Sequence, residues 1–265
     1  MSVRATDSVE VTGIEPNTSV PSAITVSTLG EGTAGNLTLN TGSLAIRNGA
    51  LVSAATAGKG DAGSVTVNAS QFVEISGNLS ALTSSSRIQK EAIRRLFGLP
   101  PVPSGNAGNL TINTPILRVL NGSLVSVRSD GIGKAGRLEV NAGTIILNNN
   151  GSIVANSTSG EGGNVTLQVS DSLNLRSRSS ISTRAGTSDS GGGDGGNISI
   201  DTPILVALDS DINANAFGGN GGRIAIATQG IFLSPDSEIT ASSQLGIDGV
   251  PLRDEGVYQI VLTKC

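Results

Sequence analysis

The sequence is poor in the side chains on which most catalytic and nucleic-acid-binding sites depend. It has no histidine and no tryptophan, its aromatic residues are four Phe and one Tyr, and 14% of its residues are charged. Nucleic acids are bound by basic stripes and by aromatic side chains that stack on bases. A chain with a net charge of −4 and almost no aromatic residues therefore predicts no nucleic-acid partner.

Cysteine and long apolar runs are missing as well. The single cysteine is the last residue, Cys265, which excludes an internal disulfide framework. No run approaches the ~18 apolar residues of a transmembrane helix, and the opening MSVRATDSVEV lacks the basic and apolar regions of a signal peptide. The chain has instead 36 glycines and 37% hydrophobic residues, nearly all Leu, Ile, Val and Ala. This composition indicates a narrow core of stacked aliphatic side chains.

An internal repeat organises the chain. A glycine-rich loop ending in AG or GG recurs before a segment of the type N-L-T-L-N, at intervals of 28, 45, 28, 27, 33 and 26 residues. The two long intervals contain an insertion and the extended loop GTSDSGGGDGG at 186–196. The segments begin at Asn36, Ser64, Asn109, Arg137, Asn164, Asn197 and Arg223. Repeats of this length indicate a solenoid.

Each repeat contains three short segments in which every second residue faces inward, the pattern of a strand with one buried face. The inward pairs of the first segment are Leu37/Leu39, Val65/Val67, Leu110/Ile112, Leu138/Val140, Val165/Leu167, Ile198/Ile200 and Ile224/Ile226. Those of the second are Leu44/Ile46, Val73/Ile75, Leu117/Val119, Ile145/Leu147, Leu173/Leu175, Val206/Leu208 and Ile231/Leu233. Those of the third are Leu51/Ser53, Leu79/Ala81, Leu124/Ser126, Ile153/Ala155, Ile181/Thr183, Ile212/Ala214 and Ile239/Ala241. Stacking joins like positions into continuous ladders.

These patterns predict an all-β fold, a single-stranded right-handed parallel β-helix with three sheets and about eight coils of about 27 residues. The hand follows from the rule that parallel crossover connections are right-handed. The repeat domain is expected over residues 1–249, and residues 250–265 are expected to form an off-pattern C-terminal tail. In the first coil, Val3/Ala5, Val9/Val11 and Ile24/Val26 fill the three strand positions. A β-sandwich is disfavoured because it needs reversing hairpins.

One segment has a helical pattern. Residues 87–104 interrupt the repeat, and apolar residues at helical spacing predict a short helix near Ile88–Phe97. Four basic residues accompany them, and the run PPVP ends the helix. Two interpretations stay open: a loop helix packed on the side of the solenoid, or a basic amphipathic helix that contacts anionic lipid or glycan.

The sequence offers no convergent set of reactive groups, so we predict no catalytic residue, no cofactor and no metal ligand. The acidic residues singled out within the repeats are scattered, at Glu74, Asp130, Glu139, Asp171, Asp201, Asp209 and Asp211. Asp209 and Asp211 share a turn, and we interpret them as solvated turn residues rather than a catalytic pair. The run GGGDGG at 191–196 resembles a calcium-binding turn. A β-roll needs tandem copies of such a turn, so we interpret this run as loop glycine.

Two outward ranks run along the first strands. One consists of Thr38, Thr66, Thr111, Glu139, Thr166, Ser199 and Ala225, and the other of Asn40, Asn68, Asn113, Asn141, Gln168, Asp201 and Ala227. An ice-binding face needs uniform threonine ranks, whereas Glu139 interrupts the first rank and the second is mainly asparagine. Both ranks are therefore expected to form side-chain ladders along the stacked coils.

The segments GNLTINTP, GSLVSV and SEITASSQLGIDG resemble the repeats of filamentous haemagglutinin-like exoproteins, especially the long cyanobacterial ones. The resemblance covers about residues 1–249 and lies in the pattern of the repeats. It implies a β-helical shaft, exported by two-partner secretion with an outer-membrane transporter as partner, that is secreted or lies at the cell surface. The chain departs from this family in having no signal peptide, no secretion domain with Asn-Pro-rich motifs, and an off-pattern tail. These departures predict a fragment of a longer protein.

Two functions remain open at this point. The favoured one is a structural or adhesive segment, not an enzyme, which attaches to glycan, another cell or matrix through its sheet faces. The alternative is a polysaccharide-cleaving lyase or hydrolase, because a fold alone does not determine function. A hydrolase would need two carboxylates ~5–10 Å apart in a groove. End-to-end self-association is also expected, because coils without polar caps leave strand edges and core open.

Overall fold

The chain forms a parallel β-solenoid, which confirms the predicted all-β fold. The computed structural model describes residues 1–17, 20–253 and 258–261. It has about eight turns spaced by about 28 residues. The strands, in chain order, are β1 (Ser2–Arg4), β2 (Ser8–Thr12), β3 (Ala23–Thr28), β4 (Leu37–Arg47), β5 (Leu51–Thr56), β6 (Val65–Ser76), β7 (Ala81–Ser86), β8 (Leu110–Leu120), β9 (Leu124–Ser126), β10 (Arg137–Asn148), β11 (Ser152–Val154), β12 (Asn164–Arg176), β13 (Ser180–Ser182), β14 (Ile198–Asp201), β15 (Ile204–Leu208), β16 (Asp211–Asn213), β17 (Ile224–Ala227), β18 (Gly230–Leu233), β19 (Ile239–Thr240), β20 (Pro251–Arg253) and β21 (Tyr258–Val261).

Hydrogen bonds join these strands into two sheets. One eight-stranded sheet holds the third segment of each coil, in the order β3-β5-β7-β9-β11-β13-β16-β19. The larger sheet holds the first and second segments. In β4, β6, β8, β10 and β12 these two segments form one strand bent at a corner, where the register shifts, as between Thr41 and Ser43. The three predicted rows of strands are therefore present, and the first two share a sheet.

The core is a stack of aliphatic ladders. All fourteen residues predicted to face inward from the first segments are buried, and the register places Leu39 next to Val67 and Val67 next to Ile112. Val3 and Val9 of the predicted first coil pack half-buried against this core. A register slip of one residue would turn every apolar side chain of a strand outward, so the ladders hold the coils in alignment.

The predicted inward pair Val206/Leu208 is wrong by one residue. Leu205 and Ala207 face the core, and Leu205 aligns with Leu173 of the preceding coil. The cause is the length of the corner between the first and second segments. This corner is one residue shorter before β15 than in the preceding coil.

Three predicted inward pairs of the third row are also wrong. The register aligns Val52, Leu82 and Val125 with Ile153, so these residues face the core in place of Leu51, Leu79 and Leu124. The predicted pairs Leu51/Ser53, Leu79/Ala81 and Leu124/Ser126 are thereby replaced by Val52/Ala54, Leu82/Ser84 and Val125/Val127. Leu79 lies in the turn before β7, with a φ of 66° and 69% of its surface exposed. The prediction failed because Leu79 is apolar but lies in a turn, so it was taken for the first residue of a strand.

A column of glycines lets successive coils touch at the corner before the first strand. A Cβ atom on Gly136 would overlap the carbonyl oxygen of Gly108 one coil before it. Every other member of the column would overlap the carbonyl oxygen of the preceding glycine in the same way, except the first member, Gly35. The column consists of Gly35, Gly63, Gly108, Gly136, Gly163, Gly196, Gly222 and Gly249. The AG or GG ending of each loop is thus a packing requirement.

Asparagines beside this column satisfy the backbone of the next coil. Asn36 Oδ1 accepts a hydrogen bond from the N–H of Ser64 at 2.8 Å, and Asn197 Oδ1 accepts one from the N–H of Arg223 at 2.9 Å. A buried or half-buried backbone N–H must find an acceptor. The asparagine that opens many of the repeats therefore acts as an acceptor between coils.

Backbone pairing continues past residue 249, where the sequence analysis ended the repeat. Strand β20 pairs with β17 and β21 pairs with β18, aligning Ile224 with Pro251 and Gly230 with Tyr258. The change in residue types after Asp248 therefore does not end the ladder of strands. The remaining residues of the predicted tail, 254–257 and 262–265, lie outside the described part of the chain.

The predicted helix is present in the insertion as α1 (Glu91–Phe97). It ends at Gly98, whose φ of 64° is left-handed and whose N–H bonds the carbonyl of Arg94. The chain returns to the solenoid at Ser104, whose N–H donates to the carbonyl of Gly58 at 3.1 Å. No residue of α1 is buried. The apolar side chains of α1 are therefore not buried against the solenoid, and both interpretations of the insertion stay predictions.

The corrected register predicts opposite effects for two neighbouring substitutions. Leu205→Asp places an unpaired charge in the core, and we expect it to lower the free energy of unfolding by about 3 kcal/mol or more. Val206→Asp places the same side chain on the outer face and should cost less than about 1 kcal/mol. Thermal melts followed by circular dichroism compare the two variants. Equal melting temperatures would show that the corrected register is wrong.

Candidate functional site

The corner between the first and second strand segments forms a groove along the solenoid. Three adjoining shallow, open depressions of about 580, 560 and 560 Å³ lie in this corner, and neighbouring depressions share lining residues. Together they extend from Arg4 to Asp201. Seven successive coils contribute one residue each to one wall: Arg4, Asn40, Asn68, Asn113, Asn141, Gln168 and Asp201. With coils ~4.8 Å apart the groove is about 30 Å long.

Four asparagines of this wall form a continuous amide ladder, as the sequence analysis predicted for the asparagine rank. Asn68 Nδ2 donates to Asn40 Oδ1 at 2.9 Å, Asn113 Nδ2 to Asn68 Oδ1 at 2.7 Å, and Asn141 Nδ2 to Asn113 Oδ1 at 2.8 Å. Each amide thus fixes the orientation of the next. The ladder presents its side chains at the spacing of the coils.

The ladder uses only part of each amide's hydrogen-bonding capacity. A primary amide has two N–H donors and an oxygen with two acceptor sites, and the ladder takes one donor and one acceptor site of Asn68 and of Asn113. Each of these rungs keeps one donor and one acceptor site. Both asparagines are half-buried and line the groove. The wall is therefore a row of prealigned, uncharged donors and acceptors.

The floor of the groove includes the small residue that follows each of the four asparagines of the wall. Thr41, Ala69 and Thr114 are buried at this position. Thr41 Oγ1 donates to the carbonyl of Ser43 at 3.1 Å, and Thr114 Oγ1 donates to that of Ile116 at 3.2 Å. These hydroxyl groups therefore donate to backbone carbonyls at the bend. The central part of the groove is consequently mostly apolar, beside a polar amide wall.

The amide rank was predicted from the sequence, but the groove beside it was not. The signal was present as a small residue, Thr or Ala, directly after Asn40, Asn68, Asn113 and Asn141. That position lies at the bend between two strand segments, and its concave shape depends on the corner geometry. An alternating in-and-out pattern does not contain this information.

The outward threonine rank also lies in register, from Thr38 through Thr66 and Thr111 to Glu139. Glu139 interrupts it, as the sequence shows, and Asn141 Nδ2 lies 3.4 Å from Glu139 Oε1. The rank therefore forms a mixed polar ladder rather than a uniform hydroxyl face.

Asp209 lies in the turn that leads into β16, and Asp211 is the first residue of that strand. Asp209 has a left-handed φ of 50°. Asp211 Oδ1 accepts a hydrogen bond from the N–H of Glu238 at 3.0 Å, the same contact between coils that the loop asparagines make. Both residues are exposed, and neither lines the groove.

The glycine loop at 186–196 folds as part of the coil stack. Asp194 Oδ1 accepts a hydrogen bond from the N–H of Asn220 at 2.7 Å, and Thr187 and Gly191 form an antiparallel bridge. Within the described part of the chain there is no group of three or more acidic, histidine or cysteine side chains placed to hold a metal ion.

A smaller cavity of about 270 Å³ lies at the end of the third strand row and is lined by Arg128 and Arg184 among others. Arg128 pairs with Asp130 at 3.1 Å, and Arg184 Nε donates to Asn213 Oδ1 at 3.0 Å. Burial lowers the pKa of Arg87, the nearby positive charge of Arg128 lowers it further, and Asp130 opposes both effects. The cavity is therefore a polar surface pocket whose cations have intramolecular partners.

No family model, curated protein or solved structure matches the chain. Among the described residues, no helix has the length and apolar character needed to cross a membrane.

The amide ladder yields a stability prediction. Asn113→Ala removes two hydrogen bonds and leaves the half-buried Asn68 Oδ1 without its ladder donor, so we expect a loss of about 1–2 kcal/mol. Ser199→Ala is the control, because it removes an exposed outward side chain from another first strand and should cost less than about 0.5 kcal/mol. Thermal denaturation of both variants gives the comparison. An unchanged melting temperature for Asn113→Ala would contradict the ladder.

Proposed function

We propose that this protein is an adhesive β-solenoid whose amide-lined groove binds an extended, largely uncharged glycan. The observation that carries the proposal is the continuous groove with the asparagine ladder along one wall. Uncharged amides exchange hydrogen bonds with sugar hydroxyl groups without the desolvation cost of a buried charge. Within the described residues that line the groove, Arg4 and Asp201 are the charged ones, at opposite ends of the groove.

The spacing of the wall favours a polymer over a small molecule. Successive rungs repeat at the separation of the coils, ~4.8 Å, which is comparable to the length of one pyranose ring in an extended chain. A polymer would therefore meet the same pair of donor and acceptor sites at each residue. Weak contacts repeated along a chain give high overall affinity through multivalency.

The second part of the proposal is that the protein attaches the glycan to a cell surface. A long, polar solenoid with a shallow groove along its axis suits a shaft that holds a polymer lengthwise. The secreted or cell-surface location, and export through an outer-membrane transporter, rest on the resemblance of the repeat segments to filamentous haemagglutinin-like exoproteins. They belong to the same proposal.

The test is a glycan array followed by binding titration of the glycans that the protein captures. Ala142→Trp places a large side chain on the groove floor, and we expect it to weaken binding by about tenfold or more, the equivalent of about 1.4 kcal/mol. Ala225→Trp is the matched control, because Ala225 lies on the same row of strands but does not line the groove.

Two outcomes would overturn the proposal. Equal affinity of the two tryptophan variants would show that the groove is not the binding site. Release of shortened products from a bound glycan would favour the polysaccharide-cleaving alternative.

A further inference from the structure

The insertion at 87–104 gathers large apolar side chains at the surface. Ile88, Ile93, Leu96, Phe97 and Val102 are exposed by 48, 38, 77, 57 and 44% respectively. Contiguous apolar groups exposed on a protein surface mark contacts with another protein or a membrane. A second group of exposed apolar side chains, at Leu245, Ile247 and Val250, lies outside the insertion and serves as a comparison.

Helix α1 is arranged with its apolar side outward. Ile93, Leu96 and Phe97 are spaced three and four residues apart and so share one side of the helix. The helix residue with the least exposure is Arg94, which is half-buried and whose Nε atom is fully covered. A helix that only covers the solenoid would turn its apolar side inward and its charged side chains outward.

The insertion also concentrates positive charge. It contains Arg87, Lys90, Arg94 and Arg95 against one acidic residue, Glu91, so its net charge is 4 − 1 = +3. The whole chain has a net charge of −4, so the rest carries −4 − 3 = −7. Glu91 pairs with Arg95 on the exposed surface. The exposed apolar side chains therefore lie in a basic segment, whose net charge is opposite to that of the rest of the chain.

Both ends of the insertion are fixed to the coil stack. The N–H of Arg87 donates to the carbonyl of Thr56 at 2.9 Å, and the N–H of Ser104 donates to the carbonyl of Gly58 at 3.1 Å. The insertion follows the third strand of its coil, whereas the groove lies between the first and second strands. It therefore presents its apolar side chains from a firm base, at a different corner of the solenoid.

We propose that the insertion is an interfacial anchor that binds an anionic lipid surface. The apolar side chains of α1 would enter the boundary between headgroups and acyl chains, while Lys90 and Arg95 contact anionic headgroups. A glycan would use the basic groups but leave Leu96 and Phe97 in water. A lipid surface satisfies both features, and the excess positive charge favours lipids of negative charge.

The test is sedimentation of the full chain with vesicles. We expect binding to vesicles of mixed phosphatidylcholine and phosphatidylglycerol to exceed binding to pure phosphatidylcholine by about tenfold, and to weaken as salt screens the charges. The double variant Leu96→Glu/Phe97→Glu should lose about tenfold or more in partition coefficient. Both side chains are exposed, so the solenoid should melt as the unmodified chain does.

The matched control is Leu245→Glu/Ile247→Glu, which makes the same kind of change at side chains exposed by 73 and 75% outside the insertion. Its partition coefficient should stay within about twofold of the unmodified chain, since it removes no contact with lipid. Equal losses in the two double variants would overturn the proposal, as would failure of the unmodified chain to bind anionic vesicles. A change of oligomeric state in Leu96→Glu/Phe97→Glu, without vesicle binding by the unmodified chain, would assign the surface to a protein contact instead.

Discussion

Each coil of this protein rests on the coil before it through direct contact between glycine backbones. In the column that includes Gly108, Gly136 and Gly163, no member after the first has room for a Cβ atom. This contact sets the distance between coils at the corner before the first strand, and the strands beyond it then pair in parallel along their whole length. The aliphatic ladders fill the space that this spacing encloses. The high glycine content and the narrow aliphatic core follow from one constraint.

The same spacing between coils places polar residues at equivalent positions of successive repeats next to each other, so that they form rows. Asn36 and Asn197 each bond the backbone of the next coil, and Asn68 bonds the amides of Asn40 and Asn113. A side chain that occurs once in each repeat thereby recurs in every coil along the solenoid axis. The proposed glycan site depends on this copying, because the groove is one concave bend repeated coil after coil. The proposed lipid anchor does not, since it lies in an insertion that occurs once.

The sequence contained enough to predict the architecture and most of the core, because glycine loops and alternating aliphatics recur at a nearly constant spacing. It did not predict where corners change length. Leu79 and Val206 were placed in the core although they lie in a turn and on the outer face. Apolar character alone does not distinguish these positions, since the preceding corner fixes the register. The groove was missed for a related reason, and the two interpretations of α1 stayed open for the same reason: both features depend on how segments fold against each other in space.

The stacking of glycine on glycine is tested most directly by one substitution made at two places in the same column. Gly136→Ala would drive a Cβ atom into Gly108, and we expect it to cost about 2 kcal/mol or more, which corresponds to a fall in melting temperature of roughly 4–8 °C. Gly35→Ala meets no atom within 4 Å, and we expect it to leave the stability unchanged or to raise it by up to about 1 kcal/mol. Melting curves of the two variants, measured side by side, decide the matter. A clear fall for Gly136→Ala alone is the predicted result, and equal melting temperatures would contradict the stacking on which the rest of the structure depends.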